Sequence, residues 1–385
     1  MVKDFFAKKR EWSKYKDMIL GYYLTPYLPK VCSMGRPVVI VDCFAGKGRF
    51  DDGTDGSPRI IAQAIKVWAD KGKQVEALVA EERKALFCQL EENVREFGSL
   101  CRPVHQEFEK TIADINRLAR THSVFVYIDP YGLKPLKFSL LASIYRHLDS
   151  GTSVEVLMNF HAPSLVRNGR AALGLTKKET SDNDEGDDSE DEVKNTMSPE
   201  EVDEIAGGDY WRKIVSSDLA FSEMEQACVH EYMKCMAQFF KGVCCYPVKE
   251  KYAHKVPKYW LLFGSRYPGA LVLINDAVCR ARDRFLKKEC VDNMLFDTRK
   301  KDERHDPARL QQAMLTVLGA TPRLQRRDLI VRSLESVFGE YLEKEHRYAI
   351  YELLKRDALY SASGKKKFND TEWLSRQPFT GGKRT

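Results

Sequence analysis

Asp42, Gly46 and Gly48 are the residues of this chain best spaced to meet a ligand. They belong to the stretch 38–50, VVIVDCFAGKGRF, in which four β-branched apolar residues run into a carboxylate. A short β-branched run that stops at glycines reads as a buried parallel strand rather than a helix. Two glycines beyond it make a turn without Cβ atoms, where a ligand can approach the backbone closely. Strand, terminal acid and glycine turn together form a nucleotide half-site of a doubly wound sheet. Two further strand ends carry acids in the same way, Glu81 after Val75–Ala80 and Glu107 after Arg102–Gln106. A fourth, Val124–Ile128, runs into Asp129-Pro130-Tyr131-Gly132.

The glycine turn is not a phosphate-binding P-loop, because Gly48 and Arg49 follow Lys47 where that motif needs Lys-[Ser/Thr] after a longer loop. Nor is it G-x-G-x-x-G, since only Gly46 and Gly48 fit that spacing. The pattern D-x-F-A-G-x-G resembles the first motif of S-adenosylmethionine-dependent methyltransferases, in the form seen in enzymes that modify nucleic-acid bases. Asp129-Pro130-Tyr131 stands where amino-methyltransferases carry D/N-P-P-[YF], with Tyr131 in place of the second proline and Gly132 after it. A similar D-P-[FY]-G occurs in transfer-RNA guanine-N2 methyltransferases.

These residues need a frame of alternating strands and helices. Residues 9–32 place Trp12, Tyr15, Ile19, Tyr22 and Tyr23 at helical spacing, and Pro26 and Pro29 are expected to end or kink that helix. Ser57-Pro58 supplies an N-cap and a first-turn proline for a helix to about Asp70, after a polar, flexible segment at 51–56. Helices over Lys84–Phe97 and Phe138–Leu148 alternate with the strands above, and Val154–Asn159 is a fifth strand followed by a helix carrying Arg167. This alternation predicts an α/β fold, a Rossmann-like, mostly parallel doubly wound sheet. A helix at Phe221–Phe240, the strands Val243–Val248 and Tyr259–Gly264, and a helix from Ala270 to Lys288 complete it.

Between these halves lies an acidic tract, and 176–208 is expected to be a disordered insertion. Residues 179–192 alone hold nine acids and no base, so the rest of the chain carries a much larger positive balance than the net +6 suggests. Such a body suits a polyanionic partner such as nucleic acid, DNA or RNA. Beyond residue 300, three helical runs (Ala308–Leu318, Arg327–Phe338 and Glu343–Leu354) precede a hairpin whose turn carries Lys365, Lys366 and Lys367. Three helices and a basic β-hairpin predict a C-terminal winged-helix-like domain at 300–376, with the lysines as phosphate contacts. A helical dimerisation domain with a solvated turn is the other reading. The domains expected are a helical segment at 1–35, the sheet domain at 36–289, and this tail.

Ten cysteines without a C-x-x-C pair argue for a reducing compartment, and five of the eight histidines, those at 105, 122, 161, 230 and 254, show no metal spacing. No apolar run reaches the ~18 residues that span a bilayer, so a cytoplasmic protein with no membrane association and no metal is expected. In order, the motifs WSKYK (12–16), VDCFAGKGRF (41–50), GSP (56–58), IDPYG (128–132) and NF followed by Arg167 look like those of the three-Cys-motif partner family, a bacterial group of expected methyltransferase fold. The resemblance covers most of residues 5–375 and implies a partner protein, which carries the three cysteines. It also implies that Asp42, Phe44, Gly46 and Gly48 surround the methionine part of S-adenosylmethionine, that Glu81 takes the ribose hydroxyls, and that Glu107 accepts from the adenine amino group. Glu107 reads equally well as an acid at a helix N-terminus. Asp129, Pro130 and Tyr131 would then be catalytic, orienting a target nitrogen and stacking on an extruded base. Asn159, Arg167 and the three lysines would bind substrate. The function implied is methylation of a nitrogen of a nucleic-acid base; the alternative is a non-catalytic nucleic-acid-binding adaptor with the same fold.

Overall fold

Every residue of β1 (Val38–Asp42) is buried, as its sequence requires of a strand covered on both faces. In the computed structural model, which describes residues 7–146, 153–175, 197–249, 257–292 and 306–379 (backbone alone at 287–292), β1 lies inside a seven-stranded sheet of order β3-β2-β1-β4-β5-β7-β6. Its neighbours are β2 (Val75–Glu81) and β4 (Ser123–Ile128), and outside these lie β3 (Cys101–His105) and β5 (Val154–Phe160). These five pair in parallel. The last two, β6 (Gly242–Val248) and β7 (Tyr259–Ser265), form an antiparallel pair joined to β5 through β7. The chain is therefore a Rossmann-like doubly wound α/β protein, five parallel strands and a closing pair. Strand order reverses between β1 and β4, and ligands of such sheets bind outside the carboxyl ends of the strands at that point.

Helices α2 (Ser57–Ala69), α3 (Lys84–Val94), α4 (Phe108–Leu118), α5 (Phe138–Tyr145) and α6 (Ala162–Ala172) connect the strands. Each turns an apolar stripe inward; in α4 it is Phe108, Ile112 and Ile115, spaced by three and four. The segment 51–56 is not the flexible loop expected. Arg49 and Asp55 form an antiparallel bridge, Phe50 N–H donates to the Thr54 carbonyl at 2.9 Å, and Asp55 accepts from Arg59 and Gln63.

Helix α1 runs from Glu11 to Cys32 and does not end at Pro26 or Pro29, one of the two outcomes expected there. A proline inside a helix costs about 3 kcal/mol. Tyr23, Leu24, Tyr27 and Leu28 flank the prolines and are at most 4% exposed, and burial contributes about 1.5–3 kcal/mol for each large apolar side chain. Burial wins.

A second correction concerns the acidic tract. Residues 176–196 lie outside the described residues, but 197–208 are ordered. Ser198 and Glu201 form a reciprocal capping box, Pro199 occupies the first turn of α7 (Pro199–Ala206), and Val202, Ile205 and Ala206 are buried. Gly207 ends α7 at φ +75°. Helices α8 (Tyr210–Val215) and α9 (Phe221–Ala237) follow, with Trp211 fully buried.

The chain divides into two compact units, residues 1–17 with 28–266, and 18–27 with 267–385. The boundaries expected at 35, 289 and 300 differ from this, because α10 (Ala270–Asp292) groups with the tail. Asn275 explains it: its amide donates to the Tyr341 carbonyl at 2.7 Å and accepts from Gly339 N–H at 2.8 Å. The second unit continues with α11 (Pro307–Ala320), β8 (Arg323–Gln325), α12 (Arg326–Val337), α13 (Glu343–Lys355), β9 (Tyr360–Ser361) and β10 (Trp373–Ser375). Its antiparallel sheet has the order β8-β10-β9, with β8 a strand that the sequence reading did not contain. Among the described residues no helix is long and apolar enough to cross a membrane.

A Cβ at Gly207 would lie 2.7 Å from the Phe138 ring, on a backbone already left-handed. Gly207→Ala therefore combines left-handed strain with overpacking and should destabilise by roughly 2–5 kcal/mol. Urea unfolding should show a lower midpoint at unchanged slope; a neutral effect would mean that α7 is not packed on α5.

Candidate functional site

The chain leaving β1 crosses the end of the sheet under backbone control. Cys43 N–H donates to the Tyr127 carbonyl at 3.0 Å, and Ala45 N–H to the Ala80 carbonyl at 2.8 Å. The turn is then reversed by Gly46 at φ +61° and Gly48 at φ +77°, conformations that glycine adopts without cost. A side chain at Gly48 would also meet Leu90 at 3.0 Å. Gly56 N–H donates to the Gly48 carbonyl at 2.9 Å, so the GSP stretch clamps the glycine turn. The Phe44 ring packs against Phe108, centroids 4.9 Å apart.

Asp42 is fully buried. Its Oδ1 accepts from Phe44 N–H at 3.2 Å, whereas Oδ2 has no partner among the described residues. Burial pushes its carboxyl pKa up to about 7, against the Ser57 hydroxyl and the Phe44 N–H, which pull it down. Glu81, also buried, ends β2 beside the turn. Its two oxygens accept from Gly46 N–H at 2.9 Å and Arg83 N–H at 2.8 Å. Both thus keep lone pairs for a further donor. Glu107 is exposed and occupies the N-cap of α4, its carbonyl accepting from Thr111 N–H at 3.2 Å.

At the end of β4 the carboxylate of Asp129 is held from two sides. Asn159 of β5 donates to Oδ1 at 2.8 Å, and the Lys16 ammonium, from α1, pairs with Oδ2. Because Asp129 is an acceptor, the amide of Asn159 turns its nitrogen to it, and Asn159 Oδ1 is left buried without a partner among the described residues. Burial works against the Lys16 ammonium, but Asp129, Asp17 and Tyr259 outweigh it and raise its pKa. The Tyr259 ring lies 5.8 Å from Lys16 Nζ. Asp17 pairs in turn with Lys9, and burial still lifts its carboxyl above the usual range. Three carboxylates and two ammonium groups thus gather at one end of the sheet.

Tyr131 is 49% exposed, and the Arg83 guanidinium sits 4.0 Å from its ring. This contact links the end of β2, where Glu81 stands, to the loop after β4, where Asp129 and Pro130 stand. Of the residues expected at the site, the structure brings together Asp42, Phe44, Gly46, Gly48 and Glu81 around the turn, and Asp129 with Asn159. Arg167 is exposed on α6, where its charge acts on Glu225, a buried residue of α9 whose carboxyl pKa burial raises to about 7. Lys365, Lys366 and Lys367 belong to the second unit. Sequence reasoning missed Lys9, Lys16, Asp17 and Tyr259. A signal was present: Lys16 follows Trp12 and precedes Leu20 at four-residue spacing, a lysine in an apolar stripe.

No family model matches the chain, and no curated relative does. Among solved structures it is similar to a protein of Legionella pneumophila str. Philadelphia 1, at 9% identity over 69% of this chain and 90% of that one, with a TM-score of 0.38. It is also similar to a candidate O-methyltransferase of Klebsiella pneumoniae (10%, 64% and 80%, TM-score 0.31). A third is the geranyl diphosphate C-methyltransferase of Streptomyces coelicolor A3(2) (13%, 69% and 87%, TM-score 0.26). These scores are low, and the fold assignment stands on the strand order.

Two stability tests follow from the charges. With a folded pKa of about 7 against an unfolded value near 3.9, Asp42 binds more protons folded than unfolded between those limits. Stability contributed by this group is present at low pH and is lost as pH rises toward 7. Asp42→Asn should accordingly match wild type at about pH 3, below the unfolded value, and exceed it at pH 8, by up to roughly 4 kcal/mol. Glu225 titrates in both proteins and cancels in the difference, so a difference that does not grow with pH would remove the assignment. Lys16→Met strips a largely buried carboxylate of its cation and should cost about 3 kcal/mol at neutral pH, near the low end for buried pairs because Asp129 keeps some solvent contact.

Proposed function

We propose that this chain is an S-adenosylmethionine-dependent methyltransferase acting on a nitrogen of a nucleic-acid base and working with a partner protein. The observation that carries the reading is the cluster at the end of the sheet where strand order reverses, a buried, half-partnered Asp42 and a glycine turn at β1 and Asp129–Asn159 at β4 and β5. A cofactor with a sulfonium and an ammonium group suits a site of three carboxylates and two ammonium groups. The unpartnered Asp42 Oδ2 accepts from a donor, and Gly46 and Gly48 let a ligand reach backbone. In this reading Glu81 takes the ribose hydroxyls and Glu107 the adenine amino group. Bound there, the cofactor supplies an electrophilic methyl group.

The rest falls to the protein. Asp129, fixed by Asn159 and Lys16, accepts hydrogen from the target nitrogen and aims its lone pair, with the Pro130 carbonyl as second acceptor. The exposed Tyr131 ring offers a stacking face to an extruded base. Arg167 and the lysine turn at 365–367 hold the nucleic acid, the latter within a winged-helix-like module whose helix–strand–helix–helix–strand–strand order supports that reading. The partner protein rests on the motif resemblance to the three-Cys-motif partner family. The Lys16–Asp129 pair also favours a second reading, a non-catalytic adaptor, since an ammonium already engages the carboxylate that the acceptor needs.

Calorimetry should give micromolar binding of S-adenosylmethionine, tightening as pH rises through 7 and Asp42 ionises, and mostly lost in Asp42→Ala and Gly46→Val. Absence of heat with both S-adenosylmethionine and S-adenosylhomocysteine would end the methyltransferase reading. Radiolabelled methyl transfer to total DNA or total RNA should vanish in Asp129→Ala with cofactor affinity retained. Cofactor binding without transfer to either pool would leave the adaptor.

A further inference from the structure

Unit 2 sorts its charges by exposure in a way its sequence does not reveal. Between 306 and 379 it has thirteen Lys and Arg against ten Asp and Glu, of which twelve bases but only three acids are exposed. The acids are drawn into the structure. Asp370 pairs with Arg326, Glu343 with Arg347, and Glu340 with Arg309. Asp276 and Glu372 accept backbone N–H groups, Glu343 N–H at 2.8 Å and Ser363 N–H at 2.7 Å.

The sorting is sharpest on α13. Its exposed positions are Lys344, Arg347, Tyr348, Tyr351 and Lys355, spaced by three and four, and its three glutamates are all less exposed than these. Tyr348 is 60% exposed and Tyr351 38%, a high exposure for two aromatic rings on one helix face. The turn at 362–367 is also built rather than loose. Ser361 Oγ donates to the Lys365 carbonyl at 2.7 Å, and Arg326 to the Phe368 carbonyl at 2.8 Å. Lys365, Lys366 and Lys367 have no ion-pair partner among the described residues.

We propose that unit 2 binds duplex DNA, with the exposed face of α13 in the major groove and Lys365, Lys366 and Lys367 on phosphates. A cationic face with aromatic rings and no equally exposed acid is complementary to a polyanion whose groove admits a helix. The B-form major groove, about 12 Å wide, accepts an α-helix, whereas the A-form groove of duplex RNA is too narrow. Arg347 and Tyr348 reach base edges, and Lys344 and Lys355 flank them toward the backbone. This inference rests on the nucleic-acid reading of the lysine turn proposed above and names its substrate as duplex DNA; it is independent of methyl transfer, because it concerns binding without cofactor.

The full chain would be titrated with a fluorescent mixed-sequence 30-base-pair DNA duplex, the RNA duplex of the same sequence, and the DNA single strand, over a salt series without cofactor. The DNA duplex should bind at least tenfold tighter than the RNA duplex. Lys365→Ala/Lys366→Ala/Lys367→Ala should weaken it at least tenfold at 0.15 M salt and lower the salt slope by up to about three. Arg347→Ala/Tyr348→Ala should weaken it with a slope change of no more than about one. The charge-matched Lys66→Ala/Lys71→Ala/Lys73→Ala, on exposed positions of unit 1, should bind like wild type. All substituted side chains are exposed, and unchanged melting temperatures confirm folding. Equal or tighter binding to RNA, equal loss in the unit 1 control, or unchanged affinity in both unit 2 variants would overturn the proposal.

Discussion

Three carboxylates, Asp17 and Asp42 buried and Asp129 largely so, gather at one end of the sheet, and what surrounds them follows from that constraint. A buried carboxylate is tolerated when it is paired, hydrogen-bonded or protonated. Here each solution is used once or more. Asp129 takes the Lys16 ammonium and the Asn159 amide, Asp17 takes Lys9, and Asp42 takes a proton over much of the pH range. Both ammonium groups precede the sheet, Lys9 just before α1 and Lys16 within it, so this segment completes the charge balance of a sheet that begins only at Val38. Ion pairs of this kind specify geometry more than they add stability.

The glycine turn satisfies a different demand. A fully buried strand must hand the chain to the next helix without leaving backbone donors unpaired. Gly46 gives its N–H to Glu81, and Gly48 gives its carbonyl to Gly56. Glu81 is therefore both an anchor for the turn and an acid held against it. One residue couples the shape of the turn to the charge beside it. The Arg83–Tyr131 contact links the end of β2 to the loop after β4.

Unit 2 handles charge in the opposite sense. Between 306 and 379 most of its acids are less exposed than its bases, several of them engaged by N–H groups or arginines, and twelve of its thirteen bases are exposed. Net charge is blind to this, because a carboxylate accepting a backbone N–H still counts as minus one although it faces no partner. Sidedness, not sum, is what a polyanion encounters.

The strands β1, β4 and β5, the glycine turn, the terminal acids Asp42, Glu81 and Asp129, and the closing antiparallel pair were all legible in the sequence. Buried strands at a topological switch point declare themselves through β-branched runs and the residues that interrupt them, and those signals are local. Local signals also misled where a stronger local or tertiary term opposed them. The acid-rich composition around residue 190 masked the Ser198–Glu201 capping box, and the prolines of α1 left its end open where the apolar side chains hold the helix through them. At three residues, β8 is too short to show a period at all. The Lys16–Asp129 pair joins residues 113 apart, and nothing in either neighbourhood names the other. That pairing, the raised carboxyl of Asp42 and the outward turn of the bases on α13 were decided by tertiary structure alone. Each depends on how much water reaches a group, and desolvation belongs to the packed molecule, not to any stretch of chain.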